Sequence, residues 1–228
     1  MIYTFIADIT NLKNKKTDCD TLISNLPEGV REHVLGAGNE DLRLCRAGAY
    51  ATLFAALRLF FGGTDFDVSC DGCGKPYLVD KGGADTGIWI SLSHDGDLCA
   101  VSLSDEGAIG VDVQGEIDKE RAKRLKERYF DGISLPKKTL DTEYMLYEAS
   151  CDGRMCIGEL PELLCVTEKY FTTDFTAAWT LSEAALKCDG RGFGAVGEVK
   201  NILDKCSADI VKIKVGKIWY RIATVSVK

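Results

Sequence analysis

Proline is scarce in this chain, at 4 residues in 228, which excludes a collagen-like or proline-rich extended protein. Long apolar runs are missing as well. The longest, residues 47–57, stops at Arg58 and falls well short of the roughly 20 residues that cross a bilayer as a helix. The N-terminus, MIYTFIADIT, has neither the basic start nor the small-residue cleavage site of a secretory leader, and it already carries Asp8. Positive charge is in deficit: 28 Lys+Arg stand against 35 Asp+Glu, a formal net charge of −7. General nucleic-acid binding needs a surplus of cations against phosphate and is not expected. A second CxxC is absent. Cys70 and Cys73 have metal or redox spacing, but a structural zinc site needs four ligands. The 10 cysteines are otherwise scattered, and in a reducing compartment they read as free thiols, several packed as small apolar side chains. What is present, 46% hydrophobic and 28% charged residues, is the profile of a soluble, cytoplasmic globular protein of one large domain or two small ones.

Residues 2–9 alternate and read as a strand. Apolar residues run at helical spacing from 45 to 61 and stop at Gly62-Gly63. Within residues 88–114, WISLSH, DLCAVSLS and AIGVDVQ are short period-two runs, separated by Asp95-Gly96 and by Asp105-Glu106-Gly107. Asp-Gly between two such runs is a hairpin signal. The stretch 118–128 reads as a charged helix, with Lys119, Arg121, Lys123, Arg124, Lys126 and Arg128 against Glu120 and Glu127. A hairpin is expected around Asp152-Gly153. Thr173 is expected to cap a helix over 174–187, closed by Asp189-Gly190, and residues 209–227 to form a last hairpin around Val215-Gly216. Strands and helices mix without a βαβ rhythm, so the expected fold class is α+β.

In AIGVDVQ, Ile109, Val111 and Val113 point to one side of the strand. Asp112 and Gln114 therefore share the other, roughly 7 Å apart at Cα by strand rise. A carboxylate and an amide oxygen on one face can ligate a hard cation such as Mg²⁺; taken alone, they equally suit a strand with its polar side toward water. Over 174–187, Trp179, Glu183 and Lys187 lie at i, i+4 and i+8 on one helical stripe. Glu four residues before Lys is commonly a solvated pair. Trp usually packs, however, which puts the two charges at the edge of a buried surface. His94 sits at the Asp-Gly turn, where an imidazole can reach a ligand without blocking the sheet. Lys75, between Gly74 and Pro76, has its backbone in a turn and its ammonium free to meet an anion.

Taken in order, GKPY at 74–77, ISLSH at 90–94, IGVDVQ at 109–114 and the Trp179-to-Lys187 stripe resemble the 4′-phosphopantetheinyl transferases of the monomeric Sfp type. Overall length and the basic helix after the third strand match as well. The resemblance implies two pseudo-twofold-related α+β halves, residues 1–105 and 106–228, the second carrying the metal-site residues, with coenzyme A in the cleft between them. It implies a monomeric, Mg²⁺-dependent enzyme that moves the phosphopantetheine arm of coenzyme A to a serine of an acyl, peptidyl or aryl carrier protein and releases 3′,5′-ADP. By the same resemblance Asp112, Glu183 and Gln114 hold the Mg²⁺. Glu183 helps deprotonate the serine, and Lys187 stabilises charge on the phosphate. Lys75, Ser93 and His94 contact the nucleotide end, and Arg31, Arg43 and Arg46 its 3′-phosphate.

Three positions depart from the family pattern. Gln114 stands where a second acidic ligand is frequent, Ser182 where a Lys commonly precedes the glutamate, and Asp95 where a small hydroxyl residue usually follows the His. They leave a second reading open, a catalytically silent relative that binds carrier protein or coenzyme A without transfer. A thiol or metal protein built on Cys70 and Cys73 is a third.

Overall fold

A computed structural model describes residues 1–13, 16–62, 65–133, 143–146, 156–159, 164–168 and 174–228. Its first sheet has β1 (Ile2–Asp8) between β5 (Leu98–Ser104) and β8 (Cys156–Glu159), with β4 (Trp89–Asp95) outside β5. Every pairing in it is antiparallel. The second sheet runs β6 (Ile109–Gly115), β11 (Ile218–Val227), β10 (Cys206–Val215), β7 (Glu143–Leu146), β9 (Leu164–Glu168), antiparallel except where β10 meets β7. A separate hairpin joins β2 (Phe66–Cys70) to β3 (Pro76–Asp80). Helices α1 (Thr10–Lys13), α2 (Lys16–Ser24), α3 (Glu28–Leu35) and α4 (Glu40–Phe60) precede these strands. Further on come α5 (Lys119–Tyr129), α6 (Phe175–Asp189), a 3₁₀ helix over Gly192–Glu198 and α7 (Val199–Asp204). The fold is α+β, as expected.

Strand alternation builds the layers. Phe5, Ala7, Cys99, Val101 and Leu103 face α4, where Leu53, Ala56 and Leu57 are fully covered. The opposite faces of β1 and β5 send Ile6, Leu98 and Ala100 against Val111, Val113, Tyr220 and Ile222 of the second sheet. Beyond that sheet, Ala223 and Val225 meet Ala177, Leu181, Ala184 and Ala185 of α6. The order is therefore helix, sheet, sheet, helix. β5 and β6 lie inside it and are buried along their whole length, each large aliphatic side chain contributing about 1.5–3 kcal/mol by its burial.

Local signals account for the boundaries of the helices beside the central sheets. α4 begins five residues before its apolar periodicity, because Asn39 caps it, its Oδ1 accepting from Leu42 N at 2.8 Å, and Glu40 and Asp41 fill a polar first turn. For α6 the cap is Asp174, accepting from Ala177 N at 2.6 Å; the expected Thr173 lies outside the described residues. Gly190 closes that helix at φ 88°, the left-handed conformation that a β-carbon disfavours. The hairpins at Asp95-Gly96 and Val215-Gly216 form as expected, while the one at Asp152-Gly153 lies outside the described residues. The first sheet draws β4, β5 and β1 from residues 1–105, but it also takes β8 from beyond them. Among the described residues no helix is long and apolar enough to cross a membrane.

Candidate active site

β4 and β6 are edge strands of different sheets, and they meet side by side. No backbone ladder joins them here; serine hydroxyls do. Ser91 Oγ accepts from Val111 N at 2.9 Å, and Ser93 Oγ accepts from Val113 N at 3.1 Å. On the other side of β6, Gly110 lets α6 approach until a β-carbon at that position would overlap Ala184 O and Cys188 N. This close packing brings Asp112, two residues along the strand, up to Glu183 and Lys187 on the helix.

Asp112 is buried. Its Oδ1 accepts from Ser93 Oγ and from Lys187 Nζ, each at 2.8 Å, and its Oδ2 is buried with no partner. Glu183 lies beside it. Burial first, and the Asp112 charge second, push the Glu183 carboxyl up to about 8, with Lys187 and Arg121 pulling the other way. A buried carboxylate oxygen without a donor, beside a carboxyl whose pKa is raised, marks a place short of positive charge that a hard divalent cation could fill. Among the described residues no three His, Cys, Asp or Glu side chains gather as a metal cluster. Asp112 and Glu183 are the two carboxylates of the cavity that could face a cation.

Gln114 has other partners. Its Nε2 donates to Asp95 Oδ2 at 2.7 Å, and Gly115 N donates to the same oxygen at 2.6 Å. Its Oε1 accepts from Arg121 Nη2 at 3.4 Å. The amide oxygen expected to serve a cation thus faces a guanidinium. Ser182 is buried and donates to Ala178 O at 2.7 Å, within its own helix.

Three cavities meet around Leu92. One of about 330 Å³ holds the charged centre, lined by Asp112, Glu183, Lys187, Arg121, His94 and Asp95 among others. One of about 260 Å³ runs past Lys75, Pro76, Ile90, Leu186 and Phe193 and shares Glu183 and Lys187 with the first. The third, about 180 Å³, contains both histidines of the chain, with Arg46 and Tyr50. His94 borders two of them. Burial, then Lys187 and Arg46, lower its pKa, against Asp95 and Asp112.

No protein-family model matches the chain. It is 32% identical over 127 residues, 55% of its length, to a protein of Synechocystis sp. provisionally named a 4′-phosphopantetheinyl transferase, and the match covers 41% of that protein. It is 35% identical over 95 residues, 42% of its length, to the 4′-phosphopantetheinyl transferase AcpT of Salmonella typhi, covering 39% of that protein. The chain is related to the 4′-phosphopantetheinyl transferases. It aligns with about two fifths of the length of these curated relatives.

Of the residues that the transferase resemblance singles out, Asp112, Gln114, Glu183, Lys187, Ser93 and His94 come together at the seam. Ser93 is committed to Asp112 and Val113, so it orients the carboxylate. Lys75, expected to be free, donates to Cys188 O at 2.9 Å, one of the terminal carbonyls of α6, and sits over the Trp89 ring at 5.6 Å; burial lowers its pKa. Arg46 lines the histidine cavity and donates to His33 O. Arg31 and Arg43 line none of the three cavities; Arg31 donates to Leu26 O. Cys70 and Cys73 are free and exposed, at the β2–β3 hairpin. Of the charged and imidazole side chains in these cavities, two carry no site signal in the sequence. His33 carried no signal beyond its rarity, and Arg121 was one basic residue among six on a charged helix.

Proposed function

We propose that this protein transfers the 4′-phosphopantetheine group of coenzyme A to a serine hydroxyl of an acyl, peptidyl or aryl carrier protein, in a Mg²⁺-dependent reaction that releases 3′,5′-ADP. The observation that carries this is the buried Oδ2 of Asp112, left without a donor beside the Glu183 carboxyl, with Lys187 bonded to the same aspartate. Two carboxylates and a lysine on a cleft wall suit a diphosphate brought in with a hard cation, and the similarity to named transferases supplies the substrate class.

In the reaction the serine oxygen forms a bond to the phosphorus carrying the pantetheine arm. The bond from that phosphorus to the oxygen bridging toward the nucleotide breaks, and its electron pair leaves with 3′,5′-ADP. Asp112 and Glu183 would hold Mg²⁺, which supplies charge neutralisation for the diphosphate when bound. Lys187, kept in place by Asp112, offers its ammonium to developing phosphoryl charge. Glu183, whose carboxyl would be ionised once it holds the cation, would take the serine proton directly or through water. His94 and Arg46 border a cavity suited to the phosphorylated nucleotide end. We further propose that the enzyme acts in the cytoplasm and, as the transferase resemblance implies, as a monomer.

Mass spectrometry of an apo carrier protein incubated with this protein, coenzyme A and Mg²⁺ tests the proposal. Transfer adds about 340 Da to the carrier at serine, as a covalent modification. Coenzyme A binding without that mass gain would instead identify a catalytically silent relative.

A further inference from the structure

Gln114 and Asp95 both depart from the family pattern, and the structure joins them. Asp95 Oδ2 takes the Gln114 amide nitrogen at 2.7 Å and the Gly115 N–H at 2.6 Å. A carboxylate only accepts, so the amide must turn its nitrogen to Asp95 and its oxygen the other way. There it meets Arg121 Nη2 at 3.4 Å. A glutamate at 114 would instead press a second carboxylate against Asp95, and two such groups at that distance cannot both ionise.

Arg121 reaches this point for a local reason. β6 ends at Gly115, and only three residues later Asp118 caps α5 by accepting from Arg121 N at 2.8 Å. First-turn side chains lean back toward the helix N-terminus, which carries the guanidinium over the end of β6. It lines the cavity of Asp112, Glu183 and Lys187. The bond to Gln114 uses one of five N–H donors. Ser182, which stands where a lysine is common, is buried in its own helix and adds no cation.

We propose that Arg121 binds the substrate's diphosphate in this cavity, and that Gln114, held in turn by Asp95, is the positioning residue that aims the guanidinium. This rests on the reading of the cavity as a coenzyme A diphosphate site.

Calorimetric titration of the full chain with coenzyme A, and separately with inorganic diphosphate, tests it with and without Mg²⁺ at several salt concentrations. Arg121→Ala is expected to weaken both ligands roughly tenfold to a hundredfold, the loss of a charge-assisted bidentate contact, with a shallower salt dependence. Arg121→Lys should keep the salt dependence and recover only part of the affinity, because the planar fork is gone. Gln114→Leu should weaken inorganic diphosphate by a few fold in the parent and by nothing once Arg121 is Ala, since the amide acts only through the guanidinium. Arg121 is exposed at the cavity rim, and thermal melting of each variant shows whether the fold is intact. Unchanged binding of inorganic diphosphate by a folded Arg121→Ala overturns the proposal. Equal losses from Gln114→Leu in both backgrounds overturn the positioning role. A wild-type protein that binds neither probe, with or without Mg²⁺, overturns both the proposal and the diphosphate reading. One that binds inorganic diphosphate through Arg121 but leaves the carrier unmodified refutes transfer alone.

Discussion

Asp112 uses one oxygen twice and leaves the other buried and without a donor, so in the proposed reaction a single carboxylate would both anchor Lys187 and offer a cation a ligand. Removing it strips the lysine of its partner as well. Asp112→Ala and Glu183→Gln are each expected to lower carrier modification by about 10² or more, the size of losing a transition-state electrostatic contact. Mg²⁺ binding measured directly by calorimetry should weaken in both. Retained turnover in Asp112→Ala would refute the site. His94 sets a pH dependence. Its pKa in the free protein is lowered, by burial first and then by Lys187 and Arg46, with Asp95 and Asp112 acting the other way. Near neutral pH the free imidazole is therefore uncharged, and pairing with a phosphate must draw a proton onto it. Affinity for coenzyme A should accordingly rise as pH falls from 8 toward 6, more steeply than for dephospho-coenzyme A. His94→Ala should remove the difference between the two ligands. Parallel profiles for both ligands in the wild type would place the histidine away from the 3′-phosphate.

Between elements, the site depends on how closely β6 and α6 pack. Gly110 makes that approach possible, since an alanine methyl there would run into the backbone of Ala184 and Cys188, atoms that cannot swing aside. Gly110→Ala is expected to cost about 3 kcal/mol or more, read by urea denaturation. Gly38→Ala, with open space around its β-carbon and no positive φ, is the matched control and should change little. The sequence carried these elements well where one strand or helix held the pattern. Asp112 and the Trp179–Glu183–Lys187 stripe were legible because period two and i, i+4 spacing place side chains without tertiary information. Trp179 does pack, in a cluster with Phe130, Phe175 and Phe193, and it leaves the two charges at the rim as the stripe implied. The bond from Asp95 to Gln114 was not legible, because it crosses between strands of different sheets whose juxtaposition no local pattern encodes. The same holds for Lys75 reaching the end of α6. On α5, Lys123 and Arg124 are exposed and form a basic face on a protein of net charge −7. Reversing both to Glu should raise the KM for an acidic carrier protein, the more so at low salt, with little change in the KM for coenzyme A. An unchanged carrier KM would remove this face as the docking surface.

Across the whole molecule, the two sheets share a buried core, and their edges are stitched by two serines, so the cleft that holds the charged centre is also the joint of the fold. Ser93, His94 and Asp95 come from one sheet, Asp112 and Gln114 from the other, and Glu183 and Lys187 from a helix behind the second. Stability and chemistry should therefore be coupled at the joint, and the serines allow them to be separated. Ser91 Oγ accepts from Val111 N, and Ser93 Oγ accepts from Val113 N. Loss of either hydroxyl leaves a buried backbone N–H unpaired, a cost of about 1–3 kcal/mol. Ser93 alone also donates to Asp112 Oδ1, the oxygen that holds Lys187. Ser91→Ala and Ser93→Ala are thus expected to lower the unfolding free energy by similar amounts in urea denaturation. Their effects on function should differ: Ser93→Ala lets the carboxylate and its lysine reorient, and should reduce carrier modification several-fold more than Ser91→Ala under conditions where both are fully folded. It should also weaken Mg²⁺ binding, which Ser91→Ala should leave close to the parent value. If the two variants lose activity in step with their stabilities, and bind Mg²⁺ alike, the serine–aspartate bond only holds the sheets together and does not orient the metal-facing carboxylate.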